Sequence, residues 1–404
     1  MLFRSIETAW WAKVGCGSGP WGCWMLGILL ACILFQLAVY AGVFWPLLRA
    51  MQNAAKEAPG LRPKAEPEPM TQPGDDPAWS VVICARNEKA NLMRNLPLIL
   101  GQDHPSFEVI VVDDGSTDGS ATWLAEQATS EPRLRIVSLT AGEKSMPGKK
   151  EPLSLGIRAA RAPWLALTDA DCRPASALWL AALDAATSDD RDFVLGYGAY
   201  ERYPGWLNRV VQFETLHAAW QYLGWAQAGM PYMGVGRNLA YRKSVWEEQG
   251  GFAAHVDWPS GDDDLFVNAA AKNGRVACAL HPNAFTVSQP PQTWRDWFQQ
   301  KFRHFSTGGS YRPMHRWVLG AYAMSHFGTY AAFFAGIGLG ASMPWLLGLF
   351  ILRWVLQLVL YRGLMRSFSC PELWYFSTIL DAGTVAYYAT FVSAVMAPKP
   401  ITWR

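Results

Sequence analysis

The chain has 404 residues, room for two or three structural units, and a formal net charge of +2. That near-neutral balance carries no electrostatic footprint for nucleic acid. Seven scattered cysteines without a C-x-x-C pair argue against a zinc or redox centre, while 21 tryptophans and only 17% charged residues lean toward a membrane protein with interfacial aromatics. Cys16 and Cys23 are the only close cysteine pair and would bridge only in an oxidising compartment.

Residues 21–48 carry no charge and exceed the roughly 20 residues a helix needs to cross a bilayer. The run is too long for a signal peptide and lacks a small-residue cleavage site, so residues 1–50 are expected to hold a transmembrane helix. Residues 51–78 are rich in Pro, Ala and charge and read as a linker.

From residue 79 to 290 strand and helix patterns alternate. "WSVVICAR", "FEVIVVDDGS", "LRIVSLT" and "PWLALTDAD" read as four strands. "NEKANLMRNLPLILGQ", "DGSATWLAEQATS" and "KKEPLSLGIRAARA" read as the helices between them. Such alternation implies a parallel sheet with helices on both faces, and ligands bind such sheets at the carboxyl ends of the strands. Asp113 and Asp114 end the second strand; Asp169 and Asp171 end the fourth. Alone, each pair is an ordinary turn or helix cap. Together, at strand ends the sheet brings side by side, they form a candidate site. Carboxylates one residue apart suit a hard divalent cation, Mg2+ or Mn2+, and an ion with open positions binds a diphosphate.

Two later segments have helical periodicity and aromatic faces. "GWLNRVVQFETLHAAWQYLGW" reads equally well as a core helix or a membrane-surface helix. Residues 291–315 contain "TWRDWFQQKFRHF", with Arg and Lys expected on a polar face, and read as an interfacial amphipathic helix. Between these two segments lies "DWPSGDDDLF", in which Asp262, Asp263 and Asp264 stand side by side. An isolated acidic run is usually a solvated turn.

Residues 316–404 supply three more candidate spans, at 317–340, 343–361 and 373–396. Arg49, Lys56, Arg62, Lys64, Lys301, Arg303, Arg312, Arg316, Arg362 and Arg366 flank the spans so as to place the middle of the chain in the cytoplasm. Arg353 and Asp381 each fall inside a span, roughly 12 Å deep. Intramembrane charges are costly when unpaired, so the two are expected to form a salt bridge between antiparallel helices.

Taken in order, "VVICARNEKANL", "VVDDGSTDGS", "GKKEPLSLGI", "TDADCRP", "GVGRNLAYRKSVW", "SGDDDLF" and "QKFRH" resemble the motifs of the family-2 glycosyltransferases over residues 78–305. The motif pattern is nearest to ceramide and other lipid glucosyltransferases and to polysaccharide synthases. The resemblance implies an α/β fold: a GT-A nucleotide-sugar-binding domain with a Rossmann-like, mostly parallel sheet. With the hydropathy pattern, this domain would carry one N-terminal and about three C-terminal transmembrane helices. The implied activity is inverting, metal-assisted transfer of a hexose from a UDP-sugar, with the catalytic domain on the cytoplasmic side of the membrane. The implied partners are the nucleotide-sugar donor, a lipid or glycan acceptor, and the membrane.

The resemblance also implies residue roles. Asp114 would contact uracil and Asp113 would fix its turn. Asp169 and Asp171 would hold the metal. Arg86, Glu88, Lys149, Arg237, Asn238, Gln300 and Arg303 would line the substrate pocket. Arg303 would neutralise the departing diphosphate, because its planar fork donates two hydrogen bonds at once. Asp262 would be the catalytic base, counted back from Leu265, with its pKa raised by its acidic neighbours. Asp263 is the second candidate, and Asp264 would cap the helix that follows. His304 stands where the family pattern has Trp, which weakens sugar stacking there unless Trp294 or Trp297 supplies it. A lipid-like acceptor is the leading expectation. A processive polysaccharide synthase and a non-catalytic glycan-binding scaffold on the same fold are the alternatives.

Overall fold

β-branched runs that are buried on both faces make the interior strands of a parallel sheet. Strands β1 (Trp79–Ala85) and β2 (Phe107–Asp114) are of this kind, with Val81, Val82, Ile83, Val109, Ile110, Val111 and Val112 all buried. The computed structural model describes residues 20–56, 76–139, 144, 146 and 148–396. The chain divides into two compact units. One comprises residues 1–46 and 313–390, the other residues 47–312 and 391–404. The Cys16–Cys23 pairing falls outside the described residues.

In the second unit the expected order of elements is present. Helix α3 (Lys89–Leu100) follows β1, and α4 (Ser120–Ser130) follows β2. Strand β3 (Leu134–Leu139), helix α5 (Lys150–Ala159) and strand β4 (Trp164–Asp169) come next. β1 pairs in parallel with both β2 and β4. Trp79 stacks on Trp164 across the β1–β4 pair at 5.5 Å between ring centroids. Three further strands complete the seven-stranded sheet: β6 (Phe193–Leu195), β8 (Leu239–Arg242) and β9 (Val276–Cys278). The order is β3-β2-β1-β4-β8-β6-β9. β8 runs antiparallel to both β4 and β6, so the sheet is mostly parallel. A second sheet holds β5 (Cys172–Pro174), β10 (Thr286–Ser288) and β7 (Gly198–Tyr200), in the order β5-β10-β7.

The segment that reads as either core or membrane-surface helix is α7 (Trp206–Gln227), and Val211, Phe213, Leu216, Trp220 and Leu223 on it are buried. Short helices α6 (Trp179–Asp184), α8 (Lys243–Glu248) and α9 (Asp264–Ala270) complete the packing, and α9 starts within the acidic triplet. Helix α10 (Trp294–Ser306) is the amphipathic segment, but its faces differ from the sequence expectation. Lys301 is buried and paired with Glu214 of α7 at 2.5 Å, so it does not belong to a solvated polar face. The aromatic face is covered only in part: Phe391 lies among the rings of Trp297, Phe298, Phe302 and Phe305 at centroid distances of 5.7, 5.7, 5.1 and 5.4 Å, yet Phe298 remains exposed. Trp294 remains 46% exposed.

The first unit is helical. Helix α1 (Pro20–Val39) passes through a π-turn (Tyr40–Phe44) into α2 (Trp45–Lys56). Pro46 has no N–H and cannot continue the regular ladder, and the N–H of Trp45 reaches back five residues to the Tyr40 carbonyl. The helix therefore continues to Lys56, through the start of the expected linker; residues 57–75 lie outside the described residues. Helices α11 (Pro313–Gly338), α12 (Met343–Ser367) and α13 (Ser377–Met396) occupy the three C-terminal candidate spans. By length and apolarity, two of the described helices can cross a bilayer: Trp21–Lys56, with mean hydropathy 2.3, and Met343–Ser367, with 1.8. α11 is less apolar because it carries His315, Tyr322, Ser325, His326 and Thr329, all buried.

Those polar groups have a common focus. Arg353 Nη1 meets Asp381 Oδ2 at 3.1 Å, the pairing expected from the sequence, and both residues are buried. Tyr330 and Tyr361 donate their hydroxyls to Asp381 at 2.9 and 3.0 Å, and Gln357 donates to it as well. Arg353 Nε donates to Gln36 Oε1 at 2.9 Å, and the Gln36 amide donates in turn to Ser325 O and Thr329 Oγ1. A buried ion pair needs its remaining donors and acceptors satisfied, and helices α1, α11 and α12 supply them.

Candidate active site

The parallel register sets the site. Ala85 at the end of β1 pairs with Asp113 on one side, and its neighbour Cys84 pairs with Asp169 on the other. The loops after β1 and β2 are tied together: Asn87, at φ 58°, accepts from Thr117 N at 2.7 Å and donates its own N–H to Ser116 Oγ at 2.9 Å. In the same loop Arg86 is exposed, and Glu88 accepts from Asn91 at 2.6 Å. Asp114 pairs with Lys144 at 2.5 Å. Asp113 is buried, and its Oδ1 has no hydrogen-bond partner among the described residues. A buried acceptor of this kind calls for a donor, and a ligand can provide it.

Lys149 joins the two acidic regions. Its ammonium lies 2.7 Å from Asp169 Oδ1 and 3.3 Å from Asp262 Oδ2. Burial disfavours this charge, yet Asp169, Asp262 and Asp263 together outweigh burial and hold the pKa well above its ordinary value. Gly148 must be glycine: its φ is +72°, and a Cβ there would sit 1.9 Å from the Pro259 carbonyl. That close approach lets helix α5 meet the acidic loop. Lys150 completes the junction. It is fully buried and donates to the carbonyls of Trp258 and Ser260, so the loop's backbone is gripped by a cation.

The three consecutive acids do three different things. Asp263 is the N-cap of α9, accepting from Asp264 N at 2.7 Å with Oδ1 and from Gly236 N at 2.7 Å with Oδ2. This corrects the expectation that Asp264 is the cap, because the helix begins at Asp264 itself, one residue earlier than a cap there would require. Asp264 accepts from Leu265 N at 2.8 Å and from Tyr311 at 2.8 Å, and Thr307 also donates to it. Among the described residues Asp262 makes no protein contact of this kind beyond the Lys149 ion pair. Of the three, it alone has a carboxylate uncommitted to scaffolding. Burial, then Asp262 and Asp264, push the Asp263 carboxyl up to about 7. The turn into the triplet uses Gly261 at φ +99°.

Asp169, Asp171 and Cys172 bring their ligand atoms within 4.8 Å of one another. The two carboxylates suit a hard cation. The Cys172 thiol is soft, fully buried and directed to Asp171 Oδ1 at 3.4 Å, and is a poor ligand for magnesium or manganese. Arg237 lies over the Tyr200 ring at 4.2 Å and donates to Ala199 O and Ser288 Oγ. Gln300 donates to the Tyr200 hydroxyl at 3.0 Å, and its own Oε1 is buried without a partner among the described residues. Arg303 lies within the electrostatic field of Asp169 and Asp262.

Asn238 is placed differently from the other expected pocket residues. It is fully buried, donates to Tyr197 O and Ala284 O and accepts from Trp179 Nε1, so its amide braces the sheets and presents nothing to a ligand. Trp297 is likewise a packing residue, and His304 is exposed. Sequence reasoning missed Lys144, Lys150 and Tyr200. The first two were visible only as lysines near a Gly-Lys motif, and Tyr200 sits at the end of a three-residue strand too short to show periodicity.

An α/β sheet with acids, two lysines and an arginine gathered at its carboxyl edge has its charged groups where sheets of this class bind ligands. The model of "Glycosyl transferase family 2" matches residues 80–247, and that of "Glycosyl transferase family group 2" matches residues 164–392. The chain belongs to glycosyl transferase family 2. It is 26% identical over 244 residues to the "Probable glycosyltransferase YdaM" of Bacillus subtilis (strain 168), a match covering 58% of this chain and 56% of that protein. It is 33% identical over 95 residues to the "Succinoglycan biosynthesis protein ExoO" of Rhizobium meliloti (strain 1021), covering 24% of this chain and 26% of that protein. The chain thus spans about half the length of the first relative and about a quarter of the second. Among solved structures it is similar to the mannosyltransferase PcManGT from Pyrobaculum calidifontis in complex with GDP-Man and Mn2+, with a TM-score of 0.50 and 20% identity. That match covers 90% of this chain and 99% of that one, a likeness of fold.

Proposed function

We propose that this protein is a membrane-bound glycosyltransferase that moves a hexose from a nucleotide-sugar, a UDP-sugar by motif pattern, to a hydroxyl of a lipid-like acceptor with inversion. The observation that supports this reading is the Lys149 bridge, whose one ammonium meets both Asp169 and Asp262. Asp169 and Asp171 are the residues that would hold a divalent cation, Mg2+ or Mn2+. Such a cation, when bound, supplies charge neutralisation for the diphosphate. Arg303 and Lys149 add positive charge where the nucleoside diphosphate departs, and preorganised charge of this kind lowers the barrier. Asp262 takes the proton from the attacking hydroxyl, because its carboxylate, paired with Lys149, alone of the three is not committed to backbone N–H or hydroxyl donors among the described residues. Asp113 Oδ1 and Gln300 Oε1 are acceptors ready for ligand N–H or O–H groups.

The membrane and lipid part of the reading is supported by the helical unit. Trp21, Trp24, Leu34, Phe334, Ile351, Leu352 and Val359 on it are large, apolar and exposed, which suits a hydrocarbon surroundings better than water.

The test is to incubate membranes carrying the protein with labelled UDP-sugars, with GDP-mannose as comparator, and Mg2+ or Mn2+. The expected product partitions into the organic phase. Asp262→Asn should lower transfer by roughly 10²–10⁴-fold at unchanged donor binding. Asp171→Asn should lower both transfer and metal response. Nucleotide release unaffected by either change would overturn the assignment. Loss confined to Asp263→Asn would move the base by one residue. A product too large to enter a gel would replace the lipid acceptor with a growing polysaccharide.

A further inference from the structure

Helix α10 brings Gln300 and Arg303 to the site, and something must hold that helix in place. Gln300 meets Tyr200 at one point, and Lys301 pairs with Glu214 at another. A further fixing point lies just past the helix. Thr307 and Tyr311 both donate their hydroxyls to the same oxygen, Oδ2 of Asp264, with Tyr311 at 2.8 Å. Thr307 and Asp264 are buried. One residue past Tyr311, the Arg312 N–H donates to Asn268 Oδ1 at 2.9 Å, and its guanidinium donates to Ala269 O at 2.6 Å. The segment 307–312 is therefore stitched to α9 at the side chains of 264 and 268, which lie four apart on one helical face, and at the backbone carbonyl of 269. Thr307 follows Arg303 by four residues and Gln300 by seven, so all three lie on one side of a helix of 3.6 residues per turn. Fixing Thr307 fixes the direction in which Arg303 points.

We propose that Asp264 is a positioning residue: its carboxylate latches helix α10 to the acidic loop, so that Arg303 and Asp262 keep a set separation. The acidic triplet then carries an element-coupling role beside its chemical one. The inference rests on the reading above, in which Arg303 faces the departing diphosphate. Hydrogen bonds to a buried carboxylate are strong because one partner is charged, and a hydroxyl removed without a replacement leaves that charge short of donors.

Thr307→Val removes the hydroxyl at nearly constant shape, Thr307→Ser restores it, and Tyr311→Phe removes the second donor. In the full-length protein in detergent, the Thr307→Val/Tyr311→Phe double variant should raise the donor KM roughly tenfold, more than it changes kcat. The same variant should speed amide hydrogen exchange across residues 294–306, and Thr307→Ser should behave as wild type in both measurements. Unchanged exchange in the double variant overturns the latch. Faster exchange with an unchanged donor KM overturns the positioning role and leaves a structural contact. A wild-type protein that transfers no sugar from UDP- or GDP-sugars overturns the functional reading instead, and the exchange comparison still decides the latch.

Discussion

At the scale of single residues, the three acids at 262–264 differ in what they touch. Asp263 has both oxygens occupied by backbone N–H groups, and its carboxyl is pushed up to about 7 by burial and by its two acidic neighbours. A raised folded-state pKa fixes the sign of its effect on stability. The unfolded carboxyl releases its proton near pH 4, while the folded one keeps it until about pH 7. The contribution is fully present below pH 4 and is lost as pH rises through 7. Asp263→Asn should therefore flatten the fall in melting temperature between pH 4 and 7, measured by thermal unfolding at a series of pH values; an unchanged slope would contradict it. The placement of Asp113, Asp114, Asp169 and Asp171 was legible in the sequence because strand ends follow from the alternation of strands and helices. The division of labour within the triplet was not. It depends on how far the Lys149 side chain reaches, on the Gly236 N–H, and on hydroxyls more than 40 residues away in sequence.

At the scale of elements, the strongest reading from sequence was the pairing of two charges across helices α12 and α13. Arg353 and Asp381 stood out because an apolar run tolerates a charge only with a partner. Gln36, which completes the arginine's hydrogen bonding, gave no such signal, since one amide in a long apolar helix is unremarkable. The antiparallel strand β8 was also hidden, because four residues carry too little pattern to set a direction. Removing one member of a buried ion pair strands the other and costs about 3–5 kcal/mol, whereas replacing both with apolar residues is far milder. Arg353→Met and Asp381→Leu should each destabilise the protein strongly in detergent, and the double variant should recover much of the loss. Additive losses in a denaturation series would mean that the two charges are not coupled.

At the scale of the whole molecule, the proposed membrane attachment predicts that alkaline carbonate leaves the protein with the membrane pellet while detergent releases it. Release by carbonate alone would mean that the apolar helices are not spans. The sequence was informative about the number and position of the helices in this unit, and α11, α12 and α13 fall where hydropathy placed them. It was less informative about α10, whose amphipathic pattern suggested a lipid-facing surface. In the fold, Lys301 and Trp297 turn inward, while Trp294 and Phe298 stay exposed. A helix with polar and aromatic sides shows the same periodicity whether its polar side meets water or a buried glutamate.

The contact between Gln36 and Arg353 spans 317 positions of the chain. At ribosomal rates of about 5–20 residues per second, the first helix waits roughly 15–60 s for its partner to be made. During that interval its glutamine has no arginine to meet, and the polar knot of the helical unit closes only after Asp381 has emerged. The helical unit thus matures last, although its first helix is synthesised before any strand of the sheet.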